Sequence, residues 1–380
     1  MPAHSGHDQF LQRALDLARA GIGLASPNPY VGAVITDSQG NIIGEGTYTY
    51  AGVKHAEILA LEAAGPKARG GTLYINLEPH AHQGRTPPCT DALINAGICR
   101  VVASMPDPNP KVSGKGFEQL RAAGIQVEVG LREDGARHLN EAFARYIRHG
   151  VPFVTLKSAM SLDGKIAPPP APNPRKPEND FSGTWITGEA ARAHVHELRH
   201  QHDAILAGIG TIFADNPLLT DRSGHVRRRP LLRVILDSQL RLPLDSRIAQ
   251  STVNGDLLVF ATSPDKRKRE QLEQHGIRVE TVPGASPHGR PDLHAVLRRL
   301  AELEFTSVMI EGGSTVNAAA LAANLVDKVF LYYAPKLLGP SAVPFATDRP
   351  ANSLEIKQPK AHRFGDDFAV EGYLHDPYEQ

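Results

Sequence analysis

The first part of the chain alternates between helical and strand-like hydrophobic patterns. Apolar residues recur at helical spacing over residues 9–20, and Gly21 ends that run. The apolar stretches 30–36 and 41–46 flank a turn sequence at 37–40, which predicts a β-hairpin. Further helices are predicted at 55–65, 90–97, 115–124 and 138–147, and strands at 72–78, 99–105 and 125–130. A hairpin followed by repeated strand–helix units predicts a mixed sheet with helices on both faces.

A second run of the same kind begins after Gly150. Short apolar runs typical of buried strands occur at 151–160, 204–208, 231–237, 256–262, 307–313 and 328–334. Residues 168–177 are rich in proline, which disfavours a helix or a central strand, so we predict a loop there. We therefore predict an α/β protein of two domains, residues 1–148 and residues 151–380.

Composition and charge exclude some classes of protein. The chain has 380 residues, and its 41 basic side chains are balanced by 41 acidic ones, so nothing indicates a nucleic-acid partner. The basic clusters at 227–229 and 266–269 are interpreted as solvated faces. Two cysteines are too few for a disulfide framework, and Cys99, which begins an apolar strand, is predicted to be a core residue. No apolar run reaches the length of a membrane span, so we expect a cytoplasmic protein that binds neither nucleic acid nor membrane.

The strongest chemical signal lies between residues 55 and 89. His55-Ala56-Glu57 opens a predicted helix, and Glu78-Pro79 closes a predicted strand ahead of Cys89. An H-x-E sequence followed by P-C, a spacer and C is the signature of zinc-dependent deaminases of bases and nucleotides. Zinc in such a site has three protein ligands and one open position, while a carboxylate that is not a ligand moves protons. An H-x-E sequence by itself has a simpler interpretation, because its histidine is more often a surface residue.

The first 147 residues resemble the deaminase half of the bifunctional deaminase–reductases of riboflavin biosynthesis. The matching sequences are SPNPYVGAVI, HAEILAL, LEP with HQGRTPPC, and DPNPKVSGKG. The resemblance implies a cytidine-deaminase-like three-layer αβα domain that deaminates 2,5-diamino-6-(5-phosphoribosylamino)pyrimidin-4(3H)-one by hydrolysis. It also implies zinc ligands at His55 and Cys89 and a catalytic proton shuttle at Glu57.

The first cysteine ligand of that family falls on His80 in this chain. Histidine is itself a zinc ligand, so the substitution exchanges one chelating side chain for another. We therefore predict that His55, His80 and Cys89 bind Zn²⁺. One thiolate in place of two leaves the site with a charge of about +1, which favours an acidic bound water. His82 could also bind the metal, although the family pattern places that position towards the substrate.

Polar residues in the loops of this domain are candidates for substrate binding. Asn28 lies in a Pro-Asn-Pro sequence just before the hairpin and is suited to hydrogen-bond the edge of a pyrimidine. The other candidates, suited to ribose hydroxyls and a phosphate, are Arg85, Thr86, Asp107, Asn109 and Lys111. The sequence DPNP at 107–110, taken alone, would more simply form a turn.

A glycine pair at 312–313 marks a candidate phosphate site in the second half. It joins a predicted buried strand to a predicted helix at 316–324, whose free backbone N–H groups suit an anion. A glycine turn without a ligand is an equally good interpretation of these residues. The sequence G-x-G-x-x-G does not follow the first strand of this half, so the Rossmann fingerprint is absent.

The second half resembles the reductase half of the same family, and the whole resemblance covers residues 8–372. The matching sequences are LKSAMSLDGKIA, WITGEAARAHVHELR, DAILAGIGTIFADNPLLTDR, VILDS, IEGGST and APKLLG. It implies a dihydrofolate-reductase-like αβα domain in which NADPH reduces the ribosyl group of 5-amino-6-(5-phosphoribosylamino)uracil to ribityl. The implied cofactor-binding residues are Met160, Trp185, Thr211, Asp215, Ser238, Gly313, Ser314, Thr315, Val316, Asn317, Ala318 and Ala319. The implied substrate-binding residues are Gly183, Arg199, Leu219, Arg222 and Glu311.

Two other functions stay open on sequence grounds. In the first, the chain is a reductase whose degenerate deaminase domain acts as a binding or oligomerisation module. In the second, it is a nucleic-acid-editing deaminase, which the neutral charge and the attached reductase argue against. We expect a homo-oligomer that binds pyrimidine ribosyl phosphates. Candidates to bind the 2′-phosphate of NADPH are Ser238, Thr262, Ser263 and Lys266.

Overall fold

A computed structural model describes residues 4–82, 87–169, 185–253, 255–285, 289–347 and 353–379. The chain divides into two compact units. The first contains the residues up to 150 together with 226–229, and the second contains 151–225 and 230–379. Arg85, Thr86, Gly183 and most of the proline-rich segment lie outside the described residues. None of the described helices is long and apolar enough to cross a lipid bilayer.

The first unit is built around a mixed five-stranded sheet. Its strands are β1 (Gly32–Thr36), β2 (Ile42–Thr47), β3 (Thr72–Ile75), β4 (Arg100–Ala103) and β5 (Gln126–Val129). They lie in the order β2-β1-β3-β4-β5. Strand β1 is antiparallel to β2 and β3, whereas β3, β4 and β5 are parallel. The predicted hairpin and the predicted mixed sheet are therefore confirmed.

Helices cover both faces of this sheet. They are α1 (His4–Arg19), α2 (Ala56–Ala64), α3 (Cys89–Ala96), α4 (Lys115–Ala122), α5 (Glu133–Leu139) and α6 (Glu141–His149). Leu11 of α1 belongs to the same buried cluster as Val34 of β1. Ala60 of α2 belongs to another cluster with Ile35, the next residue of β1. Because successive side chains of a strand point to opposite faces, these two clusters are the two interfaces of a three-layer αβα domain.

The predicted helix at 138–147 is broken at Asn140, which separates α5 from α6. The Asn140 side chain accepts a hydrogen bond from the backbone N–H of Tyr30 at 2.8 Å and donates one to its carbonyl at 3.1 Å. Asn76, directly after β3, donates to the same carbonyl at 2.9 Å and accepts from Gly32 N–H at 2.9 Å. These two buried amides fix the chain that leads from Asn28 into β1.

The second unit contains a nine-stranded sheet and a small two-stranded one. Its strands are β6 (Phe153–Ser161), β7 (Lys165–Ala167), β8 (Ala204–Gly208), β9 (Leu232–Leu236), β10 (Leu257–Ala261), β11 (Arg278–Thr281), β12 (Ser307–Ile310), β13 (Lys328–Ala334), β14 (Val343–Pro344), β15 (Lys357–Phe364) and β16 (Asp367–Tyr373). The large sheet has the order β11-β10-β9-β8-β12-β6-β13-β16-β15, and β7 pairs with β14. The first seven strands in this order, from β11 through to β13, are parallel to their neighbours within that set. Strand β16 is antiparallel to both of its neighbours, β13 and β15.

The helices of the second unit also pack on both faces of its sheet. They are α7 (Glu189–Gln201), α8 (Ile209–Asp215), α9 (Arg247–Gln250), α10 (Lys266–Gln274), α11 (Leu293–Glu302) and α12 (Ser314–Ala322). Val195 of α7 and Leu272 of α10 belong to one core cluster, whereas Leu297 of α11 and Ala320 of α12 belong to another. The carboxyl ends of parallel strands β8, β9, β10 and β12 lie along one edge, which is where open α/β sheets bind ligands.

Candidate metal centre and cofactor site

Four potential metal-binding side chains converge in the first unit. One donor atom each from His55, Glu57, His80 and Cys89 lies within 4.8 Å of the others. His55 precedes α2 in an extended conformation, and Glu57 lies in the first turn of that helix. Cys89 is the first residue of α3. Two helix N-termini and the loop after β3 therefore bring together side chains that lie far apart in the sequence.

Close packing between α2 and β2 positions this centre. A Cβ atom at Gly46 would lie 2.1 Å from the carbonyl oxygen of Ala56, in the first turn of α2. Only glycine at this position of β2 allows the helix backbone to approach so closely. The helix start that carries His55 and Glu57 is thereby held against the sheet.

The side chains of the centre lie close together. The Sγ atom of Cys89 lies 3.4 Å from Nδ1 of His55. The ring centroids of His55 and His80 are 4.4 Å apart, and those of His80 and His82 are 5.4 Å apart. His80 therefore occupies the centre, while His82 is exposed beside it. Two imidazoles and one thiol form a donor set that suits Zn²⁺.

Burial controls the protonation of this centre. Glu57 is 3% exposed, and burial raises its pKa to about 7, although a hydrogen bond from Cys89 opposes that shift. Burial and the neighbouring Glu57 both raise the pKa of the Cys89 thiol. Burial also lowers the pKa of His55. The protein alone thus favours the neutral forms of these groups, and a divalent cation would reverse the preference of the thiol, since Zn²⁺ binds the thiolate.

A buried carboxylate that the sequence analysis did not assign organises the neighbouring loop. Glu78 accepts hydrogen bonds from the backbone N–H groups of Asp107, Gly114 and Gly116 at 3.0, 2.8 and 2.8 Å. A Cβ atom on Gly116 would lie 2.0 Å from the carbonyl oxygen of Pro79, so this loop approaches the chain between Glu78 and His80 closely. The sequence shows a glutamate directly before Pro79, but it does not indicate which backbone N–H groups bind that glutamate.

The predicted substrate-binding residues of this unit have different settings. Asp107 accepts from Asn109 N–H at 2.8 Å, and Asn109 accepts from Lys111 N–H at 3.1 Å, so DPNP does form a hydrogen-bonded turn. Burial raises the pKa of Asp107 to about 6. Asn28 donates to the hydroxyl of Tyr48 at 2.5 Å, and the Tyr48 ring lies edge-on to His55, with centroids 5.5 Å apart. Asn28 is therefore linked to the metal centre through one side chain.

The prediction that Cys99 is a core residue is wrong. Cys99 is exposed, and its thiol donates to the carbonyl oxygens of Gly70 and Gly71 at 3.0 and 3.3 Å. Strand β4 begins one residue later, at Arg100. Cys99 thus precedes the apolar alternation that suggested a buried position.

In the second unit, the N-terminus of α12 has the features of a phosphate or cofactor site. Its N-cap, Gly313, offers no capping side chain, so the first N–H groups of the helix are available to an anion. The hydroxyl of Ser314 and Oδ1 of Asn317 are buried and have no hydrogen-bond partner among the described residues. A Cβ atom on Gly312 would lie 2.7 Å from Cβ of Val316, so the turn is as tight as a glycine allows.

Other predicted cofactor residues surround this edge of the sheet. Thr211 and Asp215 lie on α8, directly after β8, and Ser238 follows β9 by two residues. Met160 is buried in β6, whereas Trp185 is 60% exposed with the Arg192 guanidinium 5.0 Å from its ring centroid. Thr315, Val316, Ala318 and Ala319 belong to the first two turns of α12. Most of the predicted cofactor residues thus lie at the carboxyl ends of neighbouring strands.

A buried ion cluster lies beside these residues. Arg199 of α7 donates to both carboxylate oxygens of Glu311, at 2.8 and 3.0 Å, and to the carbonyl of Thr220 at 2.8 Å. Lys157 of β6, which the sequence analysis did not single out, lies 3.5 Å from Oε2 of Glu311. Burial raises the pKa of Glu311, but the two cations outweigh it and lower that pKa to about 2. Glu311 is therefore ionised at neutral pH.

Leu219, Arg222 and His196 complete the surroundings of this cluster. Leu219 is buried and has a φ of 53°, an uncommon value for a leucine. Arg222 is exposed. Nδ1 of His196 is buried without a hydrogen-bond partner among the described residues. Burial lowers the pKa of His196, and the charges of Arg199 and Arg222 lower it further. His196 is another residue that the sequence did not indicate.

Two protein families match the chain, one in each half. The cytidine and deoxycytidylate deaminase zinc-binding region matches residues 4–105. The RibD C-terminal domain matches residues 152–370. These matches include the candidate metal centre and the sheet that carries the predicted cofactor residues.

Relatives and solved structures cover almost the whole chain. Riboflavin biosynthesis protein RibD of Aquifex aeolicus (strain VF5) is 39% identical over 363 residues, covering 95% of this chain and 96% of the relative. The RibD of Escherichia coli (strain K12) is 40% identical over 346 residues, covering 88% and 89%. Acinetobacter baumannii RibD, form 1, has a TM-score of 0.82 at 36% identity and covers 97% of this chain and 99% of its own. A diaminohydroxyphosphoribosylaminopyrimidine deaminase/5-amino-6-(5-phosphoribosylamino)uracil reductase from Thermotoga maritima has a TM-score of 0.80 at 36% identity and covers 98% and 99%. The chain therefore belongs to the RibD family and is a bifunctional deaminase–reductase of riboflavin biosynthesis.

Proposed function

We propose that the first unit deaminates 2,5-diamino-6-(5-phosphoribosylamino)pyrimidin-4(3H)-one at a zinc centre formed by His55, His80 and Cys89. The observation that carries this proposal is the convergence of these three donors and Glu57 within 4.8 Å. The replacement of the family's cysteine by His80 leaves the number of donors unchanged. A zinc ion bound there would supply a Lewis acid that makes water acidic enough to attack at neutral pH.

Glu57 is the proton shuttle of this reaction. Its carboxylate is buried beside the three donors but is left out of the ligand set that the family uses. Glu57 accepts a proton from the attacking water and delivers it to the departing amine, so that ammonia leaves. The buried position excludes competing solvent from the proton transfer.

The substrate of this unit is held by the loops around the centre. Asn28 binds the pyrimidine edge, and the 2.5 Å hydrogen bond that its amide donates to the Tyr48 hydroxyl holds that amide in position. Asp107, Asn109 and Lys111, on the loop that Glu78 organises, bind the ribosyl phosphate. Arg85 also binds the phosphate of the substrate.

The second unit reduces 5-amino-6-(5-phosphoribosylamino)uracil to its ribityl form. NADPH bound to this unit would supply the hydride that reduces the ribosyl group at C1′. The N-terminus of α12, with the buried polar atoms of Ser314 and Asn317, receives the cofactor. Arg199 and Arg222 bind the sugar phosphate, while Glu311 fixes Arg199 through a bidentate ion pair.

Two finer expectations belong to the same proposal. The protein works in the cytoplasm, whose reducing conditions keep Cys89 and Cys99 out of disulfides. It assembles as a homo-oligomer, which light scattering of the purified chain would measure.

One experiment separates the bifunctional enzyme from a reductase with a degenerate first domain. The purified chain is analysed for zinc, and ammonia release from the diaminopyrimidine substrate is measured without NADPH. Consumption of NADPH is then measured with the deaminated product. One zinc per chain, ammonia release and NADPH consumption support the proposal. Protein that lacks zinc and releases no ammonia, but consumes NADPH with the deaminated product, is a reductase only.

A further inference from the structure

A tight turn after β9 directs an arginine towards the cofactor edge of the second unit. Asp237 follows the strand, and its carboxylate accepts from Leu242 N–H at 2.8 Å, while its carbonyl accepts from Leu240 N–H at 3.2 Å. Leu240 has a φ of 53°. Left-handed backbone is uncommon at a leucine and costs free energy, and such residues cluster at functional sites. Arg241 is the next residue in the chain.

The Arg241 guanidinium is held in place but stays half-exposed. Its Nε lies 3.6 Å from Oδ1 of Asp237, an oxygen that accepts no hydrogen bond within the part of the chain that the structure describes. Its Cζ lies 5.5 Å from the ring centroid of Phe213. Phe213 belongs to α8 and is 52% exposed, but it points away from Thr211 and Asp215, each of which lies two positions from it on the helix. Arg241 therefore lies beside α8, four residues after Asp237 and near the carboxyl end of β9.

A second cation faces the same space. Arg241 and Lys268 of α10 line a cavity of about 380 Å³ whose other walls are Leu240, Leu242, Leu244, Gln271 and Leu272. On α10, Lys266 lies 3.9 Å from Glu270, and Arg269 lies 2.8 Å from Glu273. Lys268, by contrast, has no ion-pair partner among the residues that the structure describes. The cavity thus has two cations, of which only Arg241 lies near a carboxylate.

Two of the four residues chosen from the sequence for the 2′-phosphate, Lys266 and Thr262, fit less well. Lys266 has a side chain that is 92% exposed, and it does not line the cavity. The hydroxyl of Thr262 lies 3.5 Å from the carbonyl oxygen of Ser238, with which it holds the ends of β10 and β9 together. Ser238 remains a candidate for the 2′-phosphate site, because it lies three residues before Arg241.

We propose that Arg241 and Lys268 bind the 2′-phosphate of NADPH and so make the reductase prefer NADPH over NADH. The inference rests on the proposed function, since it assumes that the cofactor lies along this edge. A 2′-phosphate carries nearly two negative charges, and a guanidinium with an ammonium supplies both the charge and several N–H donors for it. Both cations are accessible to a bound cofactor, since the Arg241 side chain is 52% exposed and Lys268 is exposed.

Binding of two nucleotide fragments to the full chain tests this inference without relying on turnover. Calorimetry compares adenosine 2′,5′-bisphosphate with adenosine 5′-monophosphate at constant ionic strength. The wild-type chain should bind the bisphosphate more tightly, and Arg241→Gln or Lys268→Gln should reduce that preference about tenfold or more, because a phosphate loses one charged partner. Binding of the monophosphate should stay unchanged in both variants. Arg241→Lys, which keeps the charge but loses the bidentate fork, should give an intermediate preference.

Controls decide between this pair of residues and general surface charge. Arg267→Gln, an exposed cation on α10 outside the cavity, should leave the preference unchanged. Raising the salt concentration from about 0.05 to 0.5 M should weaken the bisphosphate selectively, because salt screens charge. Inorganic phosphate should compete poorly with the bisphosphate, which distinguishes a nucleotide subsite from a site for any free anion.

The inference is overturned if Arg241→Gln and Lys268→Gln keep the wild-type preference, or if Lys266→Gln alone removes it. Equally tight binding of inorganic phosphate would also overturn it. These outcomes leave the proposed reductase intact, provided that the wild-type chain consumes NADPH with the deaminated product. A chain that consumes no NADPH contradicts the proposed function itself.

Discussion

The imidazole rings of His55 and His80 lie with their centroids 4.4 Å apart, and their planes are inclined by 40°. The two histidines come from different elements, one directly before α2 and the other in the loop after β3. Their contact places His80 where the family has a cysteine, within reach of Cys89. The substituted residue thus lies inside the centre and is not a bystander in the loop.

Substitution of His80 should decide whether this residue binds the metal. His80→Ala should lose zinc and ammonia release together, each by more than roughly 100-fold, because losing a direct ligand costs at least as much as losing its supporting contacts. His80→Cys should keep both, since it restores the donor that the family uses. Metal analysis and an ammonia assay on the same preparations measure this. His82→Ala is the matched control and should keep its zinc; zinc-replete His80→Ala would mean that His82 or solvent completes the site.

Glu57→Gln should separate metal binding from proton transfer. The variant should retain one zinc per chain, while ammonia release falls by about 10²- to 10⁴-fold, the usual contribution of a positioned general acid and base. Glu62→Gln, on the same helix, removes only a surface ion pair with Lys54 at 2.6 Å and should leave the rate unchanged. A Glu57→Gln variant with the wild-type rate would assign the proton shuttle to another residue.

Glu78→Gln should act on substrate binding through the loop at 107–116. The carboxylate accepts three backbone hydrogen bonds there, and an amide presents an NH₂ group where one oxygen accepted two of them. We expect KM for the diaminopyrimidine to rise about tenfold, with zinc content unchanged and kcat affected less. Steady-state kinetics and metal analysis test this, with Glu118→Gln on the exposed side of α4 as control. An unchanged KM would show that the loop does not need its carboxylate anchor.

Glu311→Gln should inactivate the reductase and destabilise its unit while leaving zinc content unchanged. The substitution leaves Arg199 and Lys157 buried without their counter-charge, which costs roughly 3–5 kcal/mol of unfolding free energy. Urea unfolding followed by the fluorescence of Trp185, the single tryptophan, measures this loss. Glu371→Gln breaks the buried Lys328–Glu371 pair, whose atoms are 2.6 Å apart, and should destabilise the unit similarly but keep its turnover.

The stabilising effect of Glu311 should depend on pH in one direction. Its folded pKa of about 2 lies below the ordinary glutamate value, so its contribution is fully present above about pH 4.5. That contribution is lost as the pH falls from about 4.5 towards 2. The difference in unfolding free energy between wild type and Glu311→Gln should therefore be constant from pH 5 to 8 and shrink below pH 4. A difference that shrinks near neutral pH would contradict the ion pair.

Local pattern determined much of this protein in advance. The hairpin, the helix starting after His55 and the strand before Gly312 are each encoded by residues within a few positions of one another. The H-x-E sequence places His55 and Glu57 at the start of one helix, but their convergence depends on the extended backbone of His55 just before it, because residues two apart on a helix point to different sides. The remaining site residues were predicted from the family resemblance, which rests on the same local sequences.

Contacts between distant residues were decided only by the tertiary structure. Lys157 and Glu311 are 154 positions apart, and nothing near either one names the other. Strand β15, KQPKAHRF, is largely exposed and lacks an apolar alternation, so only its pairing with β16 makes it a strand. Asn140 breaks a helix because its amide bonds to Tyr30, and Cys99 is exposed because β4 begins one residue later. Hydrogen bonds and ion pairs across the fold are satisfied by whichever groups the packed chain brings close, and that proximity is a property of the whole chain.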